Sequence, residues 1–70
     1  MTLGAESLGD AYPKQQARCR DLLIQYIEIG PPGTFGRMLL EDLMRRADLA
    51  VMAQDLPAMI GIYKEMENFK

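Results

Sequence analysis

Over residues 34–53, TFGRMLLEDLMRRADLAVMA, apolar side chains recur at intervals of three and four and fall on more than one face of a helix. At about 100° per residue, Gly36, Leu39, Leu40, Leu43, Met44, Ala47, Ala50 and Val51 share one wide stripe, with Arg37, Glu41 and Asp48 opposite. A stripe that wide demands burial on both flanks, so this segment is the expected central helix. Between stripe and polar edge runs a second row, Met38, Asp42, Arg45, Leu49 and Met52, stepping by four and three like a mixed coiled-coil seam. One internal core has no use for it.

Upstream, residues 13–29 carry a polar stripe of Lys14, Arg18, Asp21, Gln25 and Glu28 against an apolar face of Cys19, Leu22, Leu23, Tyr26 and Ile27. Pro13 suits the first turn of a helix because its missing N–H has no partner to lose there, with Asp10 or Tyr12 just before it. Gly30 ends the helix, and Pro31 and Pro32 forbid its continuation. Thr34 is placed to cap the central helix with its hydroxyl. Near Gln54 that helix stops, since Asp55 is a good N-cap and Pro57 fits the first turn of a third helix over residues 56–68. Leu56, Met59, Ile60, Tyr63 and Met66 make its apolar face, with Lys64, Glu65 and Asn68 turned away.

These elements predict an all-α fold, a small three-helix bundle made of a helical hairpin plus a third helix, with the central helix expected over residues 35–53. Residues 12–70 form its single domain, and residues 1–11, which show no sustained period, are expected to be a mobile N-terminal arm.

Size now matters, because a chain of 70 residues buries only about 60% of its unfolded surface and needs further support. The single cysteine, Cys19, has no internal disulfide partner, and a chain without histidine lacks the usual zinc ligands. Self-association is what remains, and it is a route to completing the core. A composition of 49% hydrophobic and 26% charged residues is that of a folded chain, and a net charge of −2 gives no reason to expect attraction to nucleic acid. With no signal-peptide pattern and no long apolar run, the expected setting is the cytoplasm, without a membrane.

The missing histidine also removes the commonest general base and the Ser-His and Cys-His nucleophilic pairs, so a non-enzymatic role is expected. Cys19 sits on an apolar face and reads as a buried, inert thiol. Glu41, Asp42 and Asp48 suggest metal ligands, but each has an arginine at helical spacing: Arg37 and Arg45 for Glu41, Arg46 for Asp42, Arg45 for Asp48. Ion pairs account for them, and no metal or cofactor is expected. The Gly30, Gly33, Gly36 spacing lacks the strand and the Gly-Lys-Ser or Gly-Lys-Thr of a phosphate loop and reads as helix punctuation. A small nucleic-acid-binding regulator of helical fold is the alternative, since three helices suffice for a helix-turn-helix. Against it, the third helix sets Lys64 against Glu65 and Glu67 and has no arginine.

Six methionines point toward a protein-binding surface, because the flexible thioether adapts to partners. Met44, Met59 and Met66 belong to the core faces, whereas Met38 and Met52 lie with Leu49 in the second row. The expected interface is therefore Met38, Asp42, Arg45, Leu49 and Met52, meeting a second copy, as a dimer, or a heterologous protein. In an antiparallel two-fold pairing Asp42 would meet Arg45 of the other copy. The competing arrangement is a monomer whose arm covers the row through Leu3 or Leu8.

The runs YPKQQARCR, IGPPGTFG and RADLAVMAQDLPAMIGIYKEM resemble small uncharacterised accessory proteins of tailed bacteriophages and prophages. The likeness covers most of the chain from Tyr12 onward and lies in helix ends and apolar positions, so no site residues transfer from it. It implies a bacterial host cytoplasm and a role in binding and modulating a host or phage protein.

Overall fold

A computed structural model describes residues 7–70, and in it Ser7 opens the first helix. Ser7 has extended backbone angles, its Oγ accepts from the Asp10 N–H at 3.3 Å, and its hydroxyl faces Asp10 Oδ2 at 3.3 Å. The acidic residue thus lies in the first turn, where the helix dipole favours it. Helix α1 spans Leu8–Ile29, starting five residues before the expected position. Of the arm expected over residues 1–11, residues 8–11 are the first turn of α1, and residues 1–6 lie outside the described residues. Pro13 is inside the helix; the bond it cannot donate would have gone to the carbonyl of Gly9, an exposed residue open to water.

The earlier start places Tyr12 in the core, 1% exposed, with its hydroxyl donating to the Ala47 carbonyl at 2.8 Å. Burial raises the Tyr12 phenol above its ordinary pKa, and the charge of Asp48 adds to the effect.

At the other end of α1, Gly30 takes a φ of 81° and donates its N–H to Ile27 O at 3.1 Å. One 3-10 turn, Pro31–Gly33, leads into α2, Thr34–Met52. Gly33 is buried so close to α1 that a Cβ there would lie 2.8 Å from the Tyr26 carbonyl oxygen. Thr34 is not the cap: it already has helical angles, and Gly33 precedes it without a side-chain bond because the 3-10 turn runs straight into the helix.

Helix α2 ends in a Schellman arrangement. Gln54 N–H donates to Val51 O and Asp55 N–H to Ala50 O, both at 3.0 Å, with Gln54 at a φ of 54°. Asp55 then caps α3, Leu56–Asn68, accepting from Ala58 N–H at 3.2 Å. A left-handed glutamine pays a steric penalty that glycine avoids. Gln54→Gly is expected to stabilise the fold by about 0.5–1 kcal/mol after its greater unfolded-state entropy is offset. Thermal unfolding checks this: a lower midpoint than wild type would mean the turn tolerates the Cβ.

The core gathers Tyr12 and Cys19 from α1, Leu40, Leu43, Ala47 and Ala50 from α2, and Ile62 and Met66 from α3. The fold is thus a small all-α three-helix bundle with α2 contacting both other helices. Leu22, Leu23 and Tyr26 pack against this core, while Ile27, expected to join them, is exposed, as are Leu39 and Val51 at the edges of the α2 stripe.

Helix α3 is rotated from the expected face: Ile62 is buried, and Leu56 and Ile60 are exposed. Its first two turns are apolar nearly all round, so periodicity alone does not choose a face. Longer-range contacts do. Phe69, just past the helix, meets the Tyr26 ring edge-on at 6.1 Å, and the Arg18 guanidinium of α1 donates to Phe69 O at 3.1 Å and to Met66 O. A cation at the last carbonyls of α3 complements the helix dipole.

Candidate functional site

The second row of α2, expected between the stripe and the polar edge, instead lies opposite the buried Leu40, Leu43, Ala47 and Ala50 and is open. Met38 is 58%, Leu49 56% and Met52 79% exposed. Of the two arm residues considered as covers, Leu8 packs against the core cluster and Leu3 lies outside the described residues.

Charges occupy the middle of the row. Arg45 Nη2 lies 2.6 Å from Asp42 Oδ1, so the two are partners within one helix turn, and Arg46 Nε holds the other oxygen of Asp42 at 2.9 Å. Arg46 reaches further, donating to both carboxylate oxygens of Glu65 on α3 at 3.1 and 3.2 Å. These hydrogen bonds, from Glu65 first and Asp42 second, raise the Arg46 pKa. Arg37 pairs with Glu41 at 3.2 Å as its spacing suggests, whereas Asp48 is bound not by Arg45 but by Gln16 Nε2 of α1 at 3.0 Å.

Phe35, absent from the expected row, belongs to it geometrically. It is 73% exposed and sits three residues before Met38, continuing the three-and-four stepping by one position. The stepping itself was the signal; a residue beside the helix start is easily assigned to the cap.

Beside the row, α2 and α3 enclose two shallow concavities. One, about 370 Å³, is walled by Leu39, Leu43 and Phe69; the other, about 330 Å³, by Leu49, Ala50, Ala58 and Ile62. Arg46 lines both concavities, and its ion-pair partner Glu65 lines the first. Neither holds a nucleophile beside a base. Cys19 is elsewhere, fully buried, its pKa raised by burial against the smaller opposing effect of Arg18. Among the described residues no group of three or more metal-ligating side chains converges. No described helix is long and apolar enough to cross a membrane.

Fold and surface together define a class: a three-helix bundle whose central helix turns one apolar-ended, charge-centred face outward. Compared with protein-family models, curated proteins and solved structures, the chain matches none.

Proposed function

We propose that this protein works without catalysis, as a protein–protein interaction module that engages its partner through the outer face of α2. The observation that carries the reading is the exposure of Met38, Leu49 and Met52 on one helix face, opposite the core. Apolar side chains concentrated in this way mark interfaces more often than scattered single residues do. The resemblance of the sequence to tailed-phage and prophage accessory proteins adds a setting, the bacterial cytoplasm, and a role, modulating a host or phage protein by binding it. Nucleic-acid binding gains no support, because Arg18, Arg37, Arg45 and Arg46 already donate to groups within the chain. Phosphate contacts call for uncompensated cations.

Leu49→Glu tests the reading. Its side chain is largely outside the core, so the helical circular dichroism should match wild type. Capture of a bacterial protein at high salt on immobilised wild type is expected to fall about tenfold or more with the variant. Equal capture by both proteins would remove the row from the interface. A DNA or RNA mobility shift that weakens with salt would replace the proposal with nucleic-acid binding.

A further inference from the structure

We infer that the occupant of this face is a second copy of the chain, pairing α2 against α2 antiparallel about a two-fold axis that crosses the helix between Leu43 and Met44. The inference rests on the reading of the row as a protein-binding surface, and goes on to name the partner and the register.

Phe35, Met38, Asp42, Arg45, Leu49 and Met52 step by three, four, three, four and three, the spacing of alternating seam positions in a coiled coil. Five such steps span about 26 Å of helix. Laid antiparallel on itself about that axis, the seam pairs Phe35 with Met52 of the second copy, Met38 with Leu49, and Asp42 with Arg45. Every layer is complementary, apolar at both ends and oppositely charged in the middle.

Other arrangements lose this match. A parallel in-register pair stacks Asp42 on Asp42 and Arg45 on Arg45, like charges in the seam itself. An antiparallel pair shifted by seven residues sets Asp42 against Met52 and Arg45 against Leu49, and leaves Phe35 and Met38 uncovered. Charge complementarity thus selects one partner surface and one register.

The observed side-chain geometry prepares this contact. Asp42 and Arg45 already lie 2.6 Å apart, with their side chains 49% and 65% exposed, so two copies bring together two ordered pairs that close into a ring of four alternating charges. Glu41 and Asp48 border the seam, but Arg37 and Gln16 of their own chain hold them at 3.2 and 3.0 Å.

Charge reversal with mixing tests the pairing. Sedimentation equilibrium of wild type across a wide dilution series is expected to show a monomer–dimer transition. Asp42→Arg and Arg45→Asp, each alone, place like charges across the axis and are expected to weaken the dimer about tenfold or more. An equimolar mixture of the two variants is expected to recover a one-to-one dimer, since each seam then supplies the charges the other lacks. Unfolded variants would show no such recovery, and circular dichroism of each checks that its helices are intact. A wild type that stays monomeric overturns the inference, as do single variants that associate like wild type or a mixture that fails to associate. If wild type is monomeric while Leu49→Glu still abolishes capture of another protein, self-pairing fails and the interaction reading stands. If Leu49→Glu alters neither mass nor capture, both fail.

Discussion

Tyr12→Ala is expected to cost about 3–5 kcal/mol, the range for emptying a buried aromatic site. Tyr12 is among the largest fully buried side chains and is 1% exposed. It ties the N-terminal part of α1 to α2 through a ring in the core and a hydroxyl on Ala47 O at 2.8 Å. Typical stability, roughly 0.05–0.15 kcal/mol per residue, gives roughly 4–10 kcal/mol for a chain this long. The variant should therefore lose a large share of the fold's stability. Tyr12→Phe separates the two contributions. Ala47 O, a mid-helix carbonyl, keeps its own α-helical partner when the phenol is gone, so losing the hydroxyl should cost only about 0.5–1.5 kcal/mol. Urea unfolding followed by far-ultraviolet circular dichroism measures both. A loss below about 1 kcal/mol for the alanine variant would mean that α1 does not dock through this residue.

The second large effect is expected at the centre of α2, where Leu43→Ala should destabilise the fold by about 2–5 kcal/mol. Leu43 is 2% exposed and lies between Leu40 and Ala47 on the stripe that faces both neighbouring helices. Its nearby core partners on α2 include Ala47 and Ala50, whose short side chains have no reach with which to refill the space. The cavity therefore persists, and residual cavity volume is what lifts the cost above simple transfer. The same urea titration applies; a loss under about 0.5 kcal/mol would put Leu43 outside the core. Leu39→Ala, at the exposed edge of the stripe, is the matched control and should cost much less.

What local chemistry decides was readable from the residues. Gly30 before two prolines, Asp55 before Leu56-Pro57, and the buried stripe of Leu40, Leu43, Ala47 and Ala50 all stand where periodicity and capping place them. Two local signals competed at the start of α1, and the louder one misled. Pro13 announced a first turn, but Ser7 with Asp10 three residues later was the cap, and it carries Tyr12 into the core. Helix α3 offered several apolar faces, and contacts far apart in sequence chose among them. Arg18 reaches carbonyls 48 and 51 residues away, and Arg46 joins Glu65 from another helix. No window of sequence contains such pairs. The outer row of α2 was readable from its three-and-four stepping, but its place opposite the core, rather than between stripe and polar edge, follows only once Leu40, Leu43, Ala47 and Ala50 fix the buried face. Phe35 was legible by the same stepping, three residues before Met38, and the expected helix already includes it although the expected row does not.

The span of the Tyr12 hydroxyl bond, 35 residues of chain, has a consequence for the order of folding. Both interhelical turns are short, so their hairpins close near the turns first, where little loop entropy is lost. Tyr12 sits at the far end of α1 from the first turn, so its contact with Ala47 is expected to form after α1 and α2 have zipped toward it. Contacts made after the rate-limiting step hold the native state shut without hastening its formation. The phenol of Tyr12 is thus expected to act as a latch on the finished bundle, so that Tyr12→Phe speeds unfolding more than it slows folding in stopped-flow measurements.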